Sequence, residues 1–346
     1  MKTVTLGRGG PQVSVLCLGT MTWGSQNTEA EAHDQIRRAA EAGVNVMDAA
    51  EMYPTNPVRA ETIGRTEEII GHYLARHGGR DRWVIATKIT GEGGLARGGE
   101  EITPGSIRRA LDASLARLQT DHVDLYQFHW PNRGSFHFRK NWRFDPSRQN
   151  VARVLDDMTA CMETLNDLVA EGKIRAFGLS NESAWGMAQW LRLAEAGVGP
   201  RPLSVQNEYS LLCRLYDTDM AELGHAEEVT LLAYSPLAAG LLSGKYAGGE
   251  IPAGSRRSIN ATLGGRVTPR AEAAVADYLA IARAAGLDPV AMALAFVRTR
   301  PFPVIPIIGA TSLDQLDRAL ASADLTLPAD VVEAIEAAHK DHPMPF

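Results

Sequence analysis

Cysteine is scarce in this chain of 346 residues, and the three that occur, Cys17, Cys161 and Cys213, are far apart. An odd number of isolated cysteines predicts neither a disulfide framework nor a clustered thiolate metal site. The chain also lacks a signal-peptide pattern at its start and any apolar run of the roughly 18 residues needed to cross a bilayer. These absences favour a cytoplasmic protein in a reducing compartment, with no membrane segment.

A surplus of positive charge is absent as well. The chain has 35 basic and 41 acidic residues, a formal net charge of −6, and the two signs are mixed along it. We therefore expect no nucleic-acid partner. No zinc site is expected either, because His72 and His77 would lie about 140° apart around a helix. With 45% apolar residues, the chain can bury one large core, so residues 1–346 are predicted to form one domain.

Eight short apolar runs alternate with amphipathic, helix-like stretches. The runs are VLCLGTM, VNVMDAA, WVIATKI, VDLYQFHW, IRAFGLSN, LSVQNEY, TLLAYSPL and VIPIIGA. Because they are apolar without alternation, they are typical of parallel strands covered on both faces. Eight such units predict a (β/α)₈ TIM barrel, preceded by a β-hairpin at Gly9-Gly10. A doubly wound open sheet is the alternative.

Two segments are longer than a barrel needs, residues 131–150 after the fourth predicted strand and 238–268 after the seventh. A short tail, 341–346, follows the last helix. Long loops in a compact domain are usually functional or mobile. Because segment 131–150 contains four aromatic residues, two interpretations are open: a lid over the barrel mouth, or a surface loop with its own small cluster.

Polar side chains end six consecutive predicted strands. They are Asp48 on the second strand, Lys88 on the third, His129 on the fourth, Ser180-Asn181 on the fifth, Gln206-Asn207 on the sixth and Tyr234-Ser235 on the seventh. The carboxyl ends of the strands carry the chemistry of TIM-barrel enzymes. We therefore predict a common site there.

Three of these side chains, Asp48, Lys88 and His129, together with Tyr53, suit the reduction of a carbonyl group. The reaction needs a hydride, which no side chain supplies, so a nicotinamide cofactor is implied. Tyr53 is the predicted proton donor, because the nearby ammonium of Lys88 would lower its pKa from about 10. Asp48 would keep Lys88 charged, and a neutral His129 would orient the carbonyl oxygen. The alternative is a structural Asp48 to Lys88 ion pair beside unrelated aromatics.

The chain resembles the aldo-keto reductases, and within them the bacterial Tas-like branch related to potassium-channel β-subunits. The motifs that carry the resemblance are LGTMTWG, DAAEMYP, ATKI, DLYQFHWP, GKIRAFGLSN, VQNEYSLL, AYSPLAAGLLSGKY and IIGATSLDQL. They cover nearly the whole chain in the family's order. The resemblance implies a catalytic tetrad of Asp48, Tyr53, Lys88 and His129, acting with NADPH on a small-molecule carbonyl substrate.

The resemblance also implies which residues bind the cofactor. Beside the nicotinamide and its ribose it places Gly19, Thr20, Met21, Ser180, Asn181, Gln206 and Tyr234. Along the pyrophosphate it places Ser235, Leu237 and Lys245, and around the adenosine 2′-phosphate Arg256, Thr311 and Gln315. It also places Gly309 in the cofactor site. An exposed arginine suits phosphate geometry, which agrees with the role implied for Arg256. Where the family commonly has Glu-Asn at the adenine, this chain has Arg318-Ala319.

Two other interpretations of the sequence compete with this one. Gly91 to Ala96 fits the pattern G-x-G-x-x-[GA] after a predicted strand, but the next helical pattern starts only after Thr103-Pro104, too late for a Rossmann motif. A regulatory or interaction protein that holds NADPH but turns it over slowly is the rival from another functional class. The substrate and the oligomeric state are not predicted.

Overall fold

An antiparallel hairpin opens the chain in the computed structural model, which describes residues 1–346. Strand β1 (Thr3–Thr5) pairs with β2 (Gln12–Ser14), and the turn between them contains Gly9. Leu6 and Val13 of this hairpin are buried against the residues that fill the barrel interior. The predicted hairpin is therefore confirmed, and it covers the amino-terminal end of the barrel.

Eight parallel strands close into a barrel, in the order of the chain. They are β3 (Cys17–Gly19), β4 (Val46–Asp48), β5 (Val84–Ile89), β6 (Val123–Phe128), β7 (Ile174–Ser180), β8 (Pro202–Gln206), β9 (Thr230–Ala233) and β10 (Val304–Ile308), and β10 pairs with both β9 and β3. Seven of them lie within one of the eight apolar runs of the sequence, and β8 begins one residue before its run. The TIM barrel is confirmed, and the open sheet is excluded by the closure.

Eleven helices surround the barrel. They are α1 (Glu29–Glu41), α2 (Arg65–His77), α3 (Pro104–Leu118), α4 (Val151–Ala170), α5 (Ala184–Glu195), α6 (Asp219–Ala226), α7 (Arg256–Ile259), α8 (Pro269–Ala284), α9 (Pro289–Arg298), α10 (Leu313–Leu320) and α11 (Ala329–Asp341). Thr103 caps the start of α3, with Pro104 in its first turn. Only a short, irregular 3-10 turn (Ala96–Gly99) ends the Gly91 to Ala96 segment, and no α-helix begins there as a Rossmann site requires.

No single helix combines the length and apolar character needed to cross a membrane. Helices α8 and α9 meet those criteria only together, as a pair bent by 97°.

Side chains alternate between the two faces of each strand. Val46, Ala86 and Leu125 point into the barrel, whereas Met47, Ile85 and Tyr126 pack under the helices. Two residues further along β4, β5 and β6, the same alternation points the side chains of Asp48, Lys88 and Gln127 inward at the carboxyl end. The polar strand ends therefore meet at one mouth.

Candidate active site

A buried ammonium group lies at the centre of this mouth. Lys88 Nζ is 2.7 Å from Asp48 Oδ2, 2.8 Å from the carbonyl oxygen of Ala49 and 3.4 Å from the hydroxyl of Tyr53. Lys88 is fully buried, and Tyr53 is 8% exposed. The three side chains come from the ends of two neighbouring strands and the turn that follows the first, and they form one hydrogen-bonded group.

Two glutamines complete the contacts of Asp48. Its Oδ1 atom accepts hydrogen bonds from Gln206 Nε2 at 2.8 Å and from Gln127 Nε2 at 3.2 Å. Sequence reasoning missed Gln127, although it lies two residues before His129 and so faces the same way. Because Asp48 is both paired and hydrogen-bonded, its buried charge is compensated.

Burial and the nearby cations shift the pKa of Tyr53 in opposite directions. Burial raises the pKa of Tyr53, the Lys88 ammonium lowers it, Asp48 raises it and the more distant charge of Arg256 lowers it. The net pKa lies above the usual value, whereas the sequence predicted a value below it, because burial outweighs the effect of Lys88. Burial by itself disfavours a charged Lys88, but Asp48 and Tyr53 raise the pKa of this lysine above its usual value. Lys88 therefore stays protonated, and Tyr53 is a neutral phenol at neutral pH.

His129 lies on the other side of the phenol. Its ring and that of Tyr53 meet edge to face, with centroids 5.8 Å apart. Burial and the charge of Lys88 lower the pKa of His129 well below its usual value, so the imidazole is neutral. Nδ1 is buried without a hydrogen-bond partner.

The residues predicted to contact the nicotinamide form a hydrogen-bonded row beside this group. Asn181 Nδ2 donates to the carbonyl oxygen of His129 at 2.9 Å and to Ser180 Oγ at 3.1 Å, and Asn181 Oδ1 accepts from the Tyr234 hydroxyl at 2.8 Å. Ser180 Oγ donates to the backbone oxygen of Gln206 at 2.8 Å. The row connects the ends of β7, β8 and β9.

Gly19 ends β3, Thr20 and Met21 follow it, and this segment lies beside Asp48. Thr20 is buried and donates from Oγ1 to the backbone oxygen of Asp48 at 2.8 Å. Gly19 lies so close to β10 that a Cβ on it would be 2.7 Å from a side-chain carbon of Ile307. Met21 is half-buried, and its carbonyl oxygen accepts from the backbone of Thr55 at 3.1 Å. The structure thus brings this segment to the same mouth.

The residues predicted along the pyrophosphate lie after β9, at the start of loop 238–268. Ser235 has a left-handed backbone with φ +53°, and Leu237 precedes a short turn. Lys245 Nζ lies 5.2 Å from the ring centre of Tyr246 and pairs with no carboxylate. Because Lys245 has no carboxylate partner, its ammonium group is available to a ligand at the edge of the mouth.

Arg256 differs from the sequence-based expectation of an exposed loop arginine. It is half-buried, its guanidinium has no ion pair, and burial together with the charge of Arg266 lowers its pKa to about 10. Tyr246 and Tyr53 are near enough to Arg256 to interact with it electrostatically, and both raise its pKa by less than burial and Arg266 lower it. A cation without a partner in such a place fits an anionic ligand.

The remaining predicted residues lie after β10. Gly309 has open space at its Cβ position. Thr311 donates from its backbone N–H and from Oγ1 to Gln315 Oε1, at 3.1 and 3.2 Å. Arg318 is occupied elsewhere: its Nε and Nη2 atoms donate to Asp288 Oδ2 at 3.0 and 2.8 Å. The substituted position beside the expected adenine site is therefore part of a surface ion pair.

Sequence reasoning missed a group of charged residues that joins the two long loops. Glu208 accepts hydrogen bonds from Arg139 of loop 131–150 at 3.0 Å and from Arg266 of loop 238–268 at 2.7 Å. Further out, the guanidinium of Arg270 lies 5.4 Å from the ring centre of Trp142. Loop 131–150 therefore crosses the mouth from β6 towards β9 and α8. The only signal in the sequence was a glutamate directly after Gln206-Asn207.

The histidines considered for zinc have other neighbours. His72 Nδ1 lies 3.2 Å from the carboxylate of Glu29, and His77 packs against Tyr73. No group of three or more histidine, cysteine or acidic side chains has an arrangement that could hold a metal ion.

A parallel barrel with a lysine, a tyrosine, an aspartate and a histidine at its mouth defines a class of α/β-barrel oxidoreductases. The family model of the aldo/keto reductases matches residues 15–340, and this chain belongs to that family. It is 44% identical to the Tas protein of Escherichia coli over 96% of both chains. It is 30% identical to the uncharacterized oxidoreductase YrpG of Bacillus subtilis, over 97% of this chain and 95% of that one. The norsolorinic acid reductase of Emericella nidulans is 27% identical, over 94% of this chain and 78% of its own length.

Proposed function

We propose that this protein reduces aldehydes or ketones to alcohols with NADPH, and that Tyr53 donates the proton. The observation that carries the proposal is the position of Lys88 Nζ, 2.7 Å from Asp48 and 3.4 Å from the Tyr53 hydroxyl, at the carboxyl end of the barrel. Membership of the aldo/keto reductase family, whose members typically use NAD(P)H, supports it. If the ion pair of Asp48 and Lys88 had only a structural role, it would not require the Tyr53 hydroxyl close to Lys88 Nζ.

The residues around the mouth fit NADPH. Its phosphates need cations, and Arg256 and Lys245 are both half-buried and unpaired at the edge of the mouth. Its carboxamide needs donors and acceptors, which Asn181 and Gln206 offer. Tyr234 would pack against the nicotinamide ring. When bound, the cofactor supplies the hydride that no side chain can provide.

The chain's own residues would then handle the oxygen of the substrate. The neutral His129 orients it through Nε2–H, because a proton on Nε2 leaves the buried and unpartnered Nδ1 as an acceptor only. The Tyr53 hydroxyl gives its proton to the oxygen as negative charge develops there. Lys88 stabilises the resulting phenolate, and Asp48 holds Lys88 in place and charged.

Two measurements on purified protein test the proposal. Titration of NADPH followed by protein fluorescence gives binding, and oxidation of NADPH in the presence of a panel of aldehydes, ketones and dicarbonyls gives turnover. Rapid multiple turnover with any of these compounds supports a reductase. Tight binding with negligible turnover across the panel would favour the alternative, an NADPH-binding regulatory protein, and an absence of NADPH binding would overturn both.

A further inference from the structure

One buried carboxylate connects the two long loops over the mouth. Glu208 Oε2 accepts from Arg139 Nη1 at 3.0 Å, and Glu208 Oε1 accepts from Arg266 Nε at 2.7 Å. The side chains of Glu208 and Arg266 are 7% and 6% exposed, and neither arginine pairs with any other acid. Removing this carboxylate would leave two guanidinium groups uncompensated and would unlink the loops.

The backbone of both loops is shaped for this contact. Arg139 has φ +61°, a conformation that non-glycine residues rarely adopt. It lies over Gly264 and Gly265, and a Cβ on Gly265 would be 3.4 Å from Arg139 Cδ. A small cavity of about 30 Å³ lies between loop 131–150, Glu208 and the carboxyl-terminal tail. The contact is therefore closely packed as well as ionic.

We propose that Glu208 is a positioning residue that couples the two loops, so that closure of loop 238–268 on NADPH fixes loop 131–150 over the carbonyl side of the mouth. This inference rests on the proposed function, because loop 238–268 carries Lys245 and Arg256, the residues assigned to the cofactor phosphates. Arg266 belongs to the same loop and bonds Glu208 directly. Glu208 in turn is bridged to Tyr234 across the sheet, and it holds Arg139 through its second oxygen. The steps through Glu208 are direct contacts, and the backbone of loop 238–268 joins Arg266 to Lys245 and Arg256.

Tryptic cleavage of loop 131–150 reports the coupling without using activity. Lys140 and Arg143 are exposed in that loop, so mass spectrometry can follow cleavage after each of them. In the wild type, saturating NADPH should slow this cleavage. In Glu208→Gln the protection by NADPH should shrink by about 10-fold or more, the scale of one lost charge-assisted hydrogen bond. Arg139→Met should give the same loss, and it tests the link even if Glu208→Gln folds poorly.

Arg133 provides a matched control, because it forms a buried ion pair with Glu182 at the base of the same loop. Arg133→Met should speed cleavage with and without NADPH and leave the ratio between the two rates unchanged. In Glu208→Gln, the KM for a carbonyl substrate should rise more than kcat falls. If NADPH binds the wild type but gives no protection, or if Glu208→Gln keeps the full protection, the coupling is wrong. If NADPH does not bind the wild type, the proposed function fails instead.

Discussion

Lys88 Nζ lies 3.4 Å from the hydroxyl oxygen of Tyr53, inside a barrel mouth from which nearly all solvent is excluded. Two opposing influences meet in this contact, because burial raises the pKa of the phenol and the ammonium lowers it. A charge acts strongly where water does not screen it. The pKa of Tyr53 therefore depends on the charge of Lys88 far more strongly than the pKa of a surface tyrosine would depend on a neighbouring lysine.

The first prediction concerns the proton donor. Tyr53→Phe should lower turnover by roughly 10² or more, the scale of general acid catalysis, because the ring stays but the proton is gone. The Kd for NADPH should change little. Steady-state kinetics and a cofactor titration measure both quantities. Tyr126→Phe is the matched control, since that hydroxyl is buried on the outer face of β6 without a partner. Full activity in Tyr53→Phe would remove the tyrosine from the mechanism.

The second prediction concerns the pH dependence. The charge of Lys88 lowers the pKa of Tyr53, so its removal in Lys88→Met must raise that pKa further. Turnover at pH 7 should fall, and the decline of reduction at high pH should move to higher pH. A pH profile of kcat/KM measures the shift. Lys173→Met, which breaks a surface pair with Asp112, should leave the profile unchanged. Coinciding profiles for Lys88→Met and the wild type would contradict the electrostatic explanation.

The third prediction concerns the choice of cofactor. If Arg256 bonds the 2′-phosphate, Arg256→Ala should weaken NADPH about 10- to 150-fold, the range of one charge-assisted hydrogen bond, and leave NADH nearly unchanged. Arg257→Ala is the neighbouring control, because Arg257 pairs with Glu272. Arg318→Ala should have little effect, since Arg318 already bonds Asp288. Titrations of each variant with NADPH and with NADH measure these changes in affinity. Equal weakening by Arg256→Ala would mean that Arg256 shapes the loop, and a selective effect of Arg318→Ala would transfer the role to that residue.

The fourth prediction concerns stability without cofactor. Burial and Arg266 lower the pKa of Arg256 to about 10, so folding disfavours its charged form at neutral pH. Replacing it in Arg256→Met should therefore stabilise the cofactor-free protein, by roughly 1 kcal/mol or more, the scale of an unsatisfied buried polar group. Below pH 10 this cost is present in full in the wild type, and it should begin to decline only as the pH rises above 10, towards the ordinary pKa of an arginine. Urea unfolding without NADPH measures it. A lower free energy of unfolding in Arg256→Met would show that the arginine has a stabilising contact.

The sequence predicted the barrel well because its strands are short, apolar on both faces and separated by helices with clear caps, such as Thr103 before α3. The inward position of Asp48, Lys88 and His129 also follows from alternation along the strands. The same alternation predicts an inward side chain two residues before His129, so Gln127 could also have been identified from the sequence.

The contacts of the long loops could not be derived in the same way. An irregular loop has no period that says which way a side chain points, so the pairing of Arg139 and Arg266 with Glu208 depends on the three-dimensional path of both loops. Arg256 was expected to be exposed for the same reason. The assignment of cofactor residues came from family resemblance, and it stays a prediction.

The hairpin at the start of the chain limits which end of the barrel small molecules can reach. Leu6 and Val13 fill the amino-terminal end of the barrel, and Gly7 is held there by a 2.8 Å hydrogen bond to Thr230 Oγ1. The amino-terminal end of the barrel is therefore closed, on the side opposite the polar mouth. For the proposed reduction, substrate would enter and product would leave through the mouth at the carboxyl end, so each product molecule must depart before the next substrate molecule can bind.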